Sequence, residues 1–138
     1  MTPPHVPARV LRRRGWLWVG CWICAFVSTH IPVEPGGVLR LRNADKFVHA
    51  GMYFLLTWLG GRYVVAKRGE ASARLLLAWA GAYLVYGVLD EWLQSYVGRS
   101  MSFNDWLADA VGVAAATIIL LFQPGGGSVC PLDSDRVG

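Results

Sequence analysis

Three separate segments of this chain hold side chains able to do chemistry: Asp45-Lys46-x-x-His49, Asp90-Glu91-x-x-Gln94 followed by Arg99, and Asp105-x-x-x-Asp109. Asp45 and His49 stand one helical turn apart, so a carboxylate there can orient an imidazole or stabilise its cation for acid–base work. The acids can instead hold a divalent cation through oxygen ligands. Arg99 offers a rigid guanidinium fork that meets a carboxylate or a phosphate in bidentate fashion. The candidate catalytic residues are therefore His49, Asp45, Glu91 and Asp109. The candidate ligand-binding set is Lys46, His49, Glu91, Gln94, Arg99, Asp105 and Asp109.

These segments sit in a chain of 138 residues that is 54% hydrophobic and only 16% charged. Each abuts or enters one of the apolar runs 15–31, 47–66, 75–89 and 106–122. Each run reaches, or nearly reaches, the roughly 20 residues needed to cross about 30 Å of hydrocarbon. The expected architecture is all-α: a polytopic membrane protein built as a four-transmembrane-helix bundle. A charge placed in hydrocarbon costs on the order of 2.5–3.5 kcal/mol. The clustered polar residues must therefore face one another, face water or bind something.

The organisation expected is a basic cytoplasmic lead (1–14), a transmembrane domain (15–123) and a disordered cytoplasmic tail (124–138) rich in Gly, Pro, Ser and Asp. Under a four-helix count, nine of the thirteen Lys and Arg residues fall on the side of the two termini and the middle loop. Arg40, Arg42, Lys46 and Arg99 fall on the other. The positive-inside rule then puts both termini in the cytoplasm and the polar clusters at the outer end. Trp92 and Trp106 mark the outer boundary, and Trp16 and Trp18 the inner one. Ser28-Thr29-His30-Ile31-Pro32 is not a small-x-small cleavage site, so the first helix is expected to be retained rather than removed as a signal peptide.

Helical periodicity places the polar residues on faces. Asp45, His49 and Tyr53 make one descending stripe; Tyr83, Gly87, Asp90 and Gln94 share an arc with Glu91 at its edge; and Asp105, Asp109, Gly112 and Ala116 share another. Gly112-x-x-x-Ala116 is a small-xxx-small face that lets two backbones approach. Ser102-Phe103-Asn104-Asp105 reads as a capping box opening the fourth helix. The simplest packing turns all three stripes inward around a cavity open to the outside. Plainer roles stand beside the chemical ones. Asp45 and Asp105 suit helix caps, Lys46 can snorkel, Arg99 can pair with an acid, and the tyrosines suit a core. Cys21-x-x-Cys24 lies inside an apolar helix and reads as packing, since a redox pair needs exposure.

The three motifs in order resemble the VanZ-like family of small bacterial membrane proteins. Its pattern D-K-x-x-H-x-x-x-Y, then D/E-E-x-x-Q with G-R-S, then D-x-x-A-N/D-x-x-G is similar to Asp45-Lys46 through His49 to Tyr53, Asp90-Glu91 to Gln94 with Gly98-Arg99-Ser100, and Asp105 to Ala108-Asp109 and Gly112. The likeness spans about residues 25–122. It departs at Asp109, where many relatives carry Asn. The resemblance implies a multi-pass protein of the bacterial cytoplasmic membrane and a link to glycopeptide (teicoplanin) resistance in some members. It does not imply a reaction.

The function expected first is an envelope protein whose outer-facing polar pocket binds or handles an amphiphile, either a lipid-linked cell-wall precursor or a glycopeptide- or lipopeptide-type drug. Membrane lipids are its expected surroundings. The alternative is an intramembrane enzyme acting on a lipid phosphate or a cell-wall precursor, with His49 as acid/base or nucleophile. A Ser nucleophile elbow, a Cys–His pair and an HExxH signature are all missing from the sequence. An ion-coupled transporter is a distant third, because no polar stripe continues into the cytoplasmic half. Nucleic acid is not an expected partner: the basic residues lie at membrane edges, not on a basic helix. No motif calls for an organic cofactor.

Overall fold

Residues 6–30, 44–69, 72–97 and 101–123 are described by the computed structural model. They form four α-helices: α1 Ala8–His30, α2 Ala44–Arg68, α3 Ala73–Gln94 and α4 Phe103–Phe122, with a 3₁₀ turn Ser95–Val97 after α3. The described residues contain no strand. Arg99 with Gly98 and Ser100, the loop 32–43, residues 1–5 and the tail 124–138 lie outside the described residues.

Local chemistry explains the helix ends. Ser72 caps α3 by accepting from the Leu75 amide at 3.2 Å, and Ser102 caps α4 by accepting from the Asp105 amide at 3.4 Å. Gly69 ends α2 at φ 76°, with its amide donating to Val65 O at 2.8 Å. Glycine takes that left-handed conformation without a Cβ penalty.

Successive helices run antiparallel. At one end Arg14 Nη1 donates to Arg62 O at 3.3 Å, joining the start of α1 to the far part of α2. At the other end Thr29 Oγ1 reaches Asp90 Oδ1 at 3.4 Å, joining the end of α1 to the end of α3. The most extensive contact is between α2 and α4. A Cβ added at Gly112 would collide with Ala50 O and lie 2.9 Å from Phe54 N, so only glycine allows this backbone approach. Gly112, Val113, Ala116, Thr117 and Leu120 are the buried face of α4 below its acids.

One polar tie spans three helices midway along the bundle. Trp18 Nε1 of α1 donates to Tyr83 Oη of α3 at 2.8 Å, and that hydroxyl donates to Leu56 O of α2 at 2.9 Å. Gly60 leaves the space: a Cβ there would come within 2.5 Å of Tyr83 Oη and 2.9 Å of Trp18 Nε1. Trp22, Trp79, Tyr83 and Tyr86 fill the surrounding interior with edge and stacked ring contacts. The tightly packed aromatic midsection divides the two ends of the bundle.

Besides its apolar core, the bundle buries several acids while large hydrophobics cover its outside. Asp90, Glu91 and Gln94 are buried on α3 while Leu77, Val85, Val88, Leu89 and Trp92 of the same helix are exposed. On α4, Asp105 and Asp109 are buried while Leu107, Val111, Ile118, Ile119 and Phe122 are exposed. Exposed large hydrophobics also cover α1 (Trp16, Leu17, Ile23, Phe26) and α2 (Phe47, Val48, Leu55). A water-soluble helix turns its apolar stripe to the core and its charges outward. Two helices, α3 and α4, are long and apolar enough to cross a membrane. By the same measure α1 and α2 fall short, with Arg12, Arg13 and Arg14 near one end of α1, Asp45 and Lys46 at the start of α2 and Arg62, Lys67 and Arg68 in its last two turns.

Candidate functional site

The end of the bundle opposite Arg14 and Arg62 gathers His49 from α2, Glu91 from α3 and Asp109 from α4. All are buried: His49 and Glu91 are 3% exposed and Asp109 is 0% exposed. His49 Nδ1 lies 3.0 Å from Asp109 Oδ1. One ligating atom from each of the three residues lies within 4.8 Å of the others. The helices dictate this meeting. The α2–α4 approach at Gly112 brings His49 and Asp109 together, since each lies less than one turn on the site side of that contact. Gly87 does the same for α3 and α4. A Cβ there would sit 3.5 Å from Asp109 Oδ2 and 3.2 Å from Trp106 Cδ1. Asp109 therefore turns one oxygen to His49 and the other toward α3, one turn below Glu91.

The pairing differs from the local reading of the sequence. Asp45 does not orient His49: its side chain is half exposed and lies 3.7 Å from Lys46 Nζ. Lys46 bridges to α4 through Asp105 Oδ1 at 3.2 Å. That hydrogen bond lies at the rim of the site. His49 takes its carboxylate from α4. Only local helical neighbours can be read from spacing, and a cross-helix partner at comparable distance is invisible to it.

The capping box of α4 is also shared between helices. Ser102 Oγ caps the helix, but the Ser102 amide donates to Glu91 Oε2 at 2.8 Å, not to Asp105. Glu91 thereby ties the end of α3 to the start of α4. Asp105 is left to meet Lys46.

Asp90 and Gln94 belong to a neighbouring closed network. Asp90 accepts from Gln94 Nε2 at 2.9 Å, from Tyr86 Oη at 3.3 Å and from Thr29 Oγ1 at 3.4 Å, with His30 Nδ1 4.0 Å away. Gln94 is thus committed to Asp90. The contribution of α1, through Thr29 and His30, was not signalled by the three motifs. The only hint was a polar Ser28-Thr29-His30 end on an apolar helix.

Glu91 and Asp109 differ from Asp90 in what remains unsatisfied. Among the described residues, Glu91 Oε1 and Asp109 Oδ2 are buried without a hydrogen-bond partner, as is Tyr53 Oη one turn beyond His49. Buried polar atoms nearly always find a partner, so such a group marks a place that binds something or stores strain. Beside Glu91 a cavity of about 250 Å³ opens between α3 and α4, lined by Val88, Glu91, Met101, Ser102, Phe103 and Trp106. Its walls are apolar except at Glu91 and Ser102.

The cluster can bind, orient or exchange a proton at the His49–Asp109 pair. It can also accept hydrogen bonds at two carboxylate oxygens, or ligate a cation through one nitrogen and two carboxylates. No family model, curated protein or solved structure matches this chain.

Proposed function

We propose that this chain is a VanZ-like, four-span protein of the bacterial cytoplasmic membrane, with both termini cytoplasmic, that binds or handles an amphiphile at its outer end. The polar head of that amphiphile reaches His49, Glu91 and Asp109, and its apolar part lies in the groove between α3 and α4. The observation that carries this reading is the junction of two unlike surfaces at Glu91. One Glu91 oxygen is buried and unpartnered beside a His–Asp pair, while its side chain lines a cavity of Val88, Met101, Phe103 and Trp106. Apolar walls with a few convergent polar groups are the usual make-up of a small-molecule site.

The large hydrophobics on the outside of the bundle support four spans. Lipid satisfies the exposed Trp16, Ile23, Phe47 and Leu55 of the two less apolar helices as well as those of α3 and α4. The charges of α1 and α2 lie mainly toward their ends, where long basic side chains reach the interface. Ligands of the class suggested by the family resemblance, a lipid-linked cell-wall precursor or a glycopeptide of the teicoplanin type, combine an apolar chain with a head group rich in N–H and O–H donors. Those donors suit the free carboxylate oxygens.

The test uses purified protein in nanodiscs, with a fluorescent polyprenyl-linked sugar and an acylated glycopeptide as separate probes. Glu91→Ala and the groove-filling Val88→Trp are each expected to weaken binding of one probe by about tenfold or more, roughly 1.4 kcal/mol. Equal binding by the wild type and both variants overturns the proposal.

A second reading is favoured by one observation, the buried 3.0 Å contact between His49 and Asp109. In an intramembrane hydrolase of lipid phosphates, His49 would act as acid/base with Asp109, not Asp45, as its orienting carboxylate. Phosphate release from a polyprenyl diphosphate, present in the wild type and lost in His49→Ala, would favour it over binding alone.

A further inference from the structure

We propose that His49, Glu91 and Asp109 form a binding site for one divalent first-row transition-metal ion, such as Zn²⁺ or Mn²⁺. The cluster holds ligand atoms that nothing among the described residues uses. Asp90, on the same end of the bundle, has donors for both of its oxygens. Glu91 and Asp109 each keep one buried oxygen without a donor among the described residues, and Asp109 Oδ2 faces the α3 surface that carries Glu91 one turn away. Among the described residues, the cations at this end are Lys46, engaged with Asp45 and Asp105, and the histidines when protonated. Two carboxylates, 3% and 0% exposed, therefore have His49 as their one near cationic partner among the described residues. A divalent ion removes that imbalance and uses the unpartnered oxygens.

The geometry suits a small ion. Metal–ligand bonds of about 2.0–2.2 Å put adjacent ligand atoms about 3 Å apart and opposite ones about 4 Å apart. His49 Nδ1 and Asp109 Oδ1 are already 3.0 Å apart, their hydrogen bond being given up and its proton released to solvent when an ion enters, and one candidate atom from each of the three residues lies within 4.8 Å of the rest. Bringing atoms up to 4.8 Å apart to that spacing takes movements of about 1–2 Å at side-chain ends, with the helices held by Gly112 and Gly87. One imidazole with two carboxylates is a borderline-to-hard donor set. It disfavours Cu(I), which prefers sulfur, and departs from the all-oxygen cages of Ca²⁺. Three protein ligands leave positions open on the ion, as in a site that meets a ligand and not in a closed structural one. Tyr53 Oη, unpartnered on the next turn of α2, lies on the same helix face as His49.

This inference stands on the three side chains alone and does not depend on the amphiphile reading. It also removes a difficulty there. Two free carboxylates repel a phosphate head, whereas a carboxylate-held divalent ion attracts one.

The experiment uses full-length protein in detergent, stripped with a chelator and titrated with Co²⁺ while its visible absorption is followed. Expected are ligand-field bands that saturate near one Co²⁺ per chain and are displaced by Zn²⁺. His49→Ala and Glu91→Gln should weaken that binding by about 100-fold or more, since even outer residues around a metal cost 10–100-fold. Asp45→Asn, at an exposed position off the cluster, should leave it unchanged. Zn²⁺ should also raise the melting temperature of the wild type and not that of Glu91→Gln. A wild type that shows no bands at millimolar Co²⁺, or retained affinity in both ligand variants, overturns the proposal. The wild-type titration decides the matter even where a variant misfolds. Metal binding with no amphiphile binding, or the reverse, separates this inference from the previous one.

Discussion

At the scale of single residues, the site is defined by which polar groups are finished and which are not. Asp90 is finished by Gln94, Tyr86 and Thr29, so Asp90→Asn is a structural substitution. Asp109 and His49 depend on one another across α2 and α4. Asp109→Ala leaves a buried imidazole without its carboxylate, and removing one partner of a buried pair costs about 3–5 kcal/mol. A large drop in the melting temperature of the detergent-solubilised variant is the expected outcome. Lys46→Ala removes only a rim contact and should melt with the wild type. The sequence showed which residue types cluster here and on which helix faces. It misassigned the partner of His49, because spacing within a helix reports neighbours at i+4 and is silent about a carboxylate 60 positions away.

At the scale of elements, small residues control how close the helices come. Gly112 has no room for a Cβ, since the atoms in the way are Ala50 O and Phe54 N, main-chain atoms that cannot rotate aside. Gly112→Ala must push α2 from α4, and overpacking of this kind costs about 1–3 kcal/mol or more. The control is Gly81→Ala, where an added Cβ meets nothing within 4 Å and removing a glycine from a helix favours folding by up to about 1 kcal/mol. Opposite shifts in melting temperature for these two alanines are the expected result. Tyr83→Phe tests the three-helix tie. Loss of the hydroxyl leaves the partly buried Trp18 Nε1 without its acceptor, at about 1 kcal/mol. The Gly112-x-x-x-Ala116 face and the Ser102 cap were legible in the sequence because both are local patterns with a local cause. The role of Gly87 as the point where α4 approaches α3, and the capture of the Ser102 amide by Glu91, were not. Both depend on how the helices dock.

For the whole molecule, four helices and their approximate limits follow from hydrophobic runs broken by turn residues, a strong signal over this length. Spanning by all four is the proposal the composition of α1 and α2 tests hardest. Phosphatase fused after Gly69 is expected to be inactive and fused after Val97 active, with the opposite pattern for a green fluorescent protein fusion. Activity at both junctions would break the four-span reading. The uneven apolarity of the helices bears on biogenesis. α3 and α4 are long and apolar enough to cross a membrane, whereas α2 carries Asp45, Lys46, His49 and Arg62 and makes its most extensive contact with α4. Its polar face gains its shelter only when α4, which follows it in the chain, has been made. The pocket would then be assembled after translation of the hairpin, and an arrest in synthesis before residue 103 would leave α2 exposed to membrane quality-control proteases.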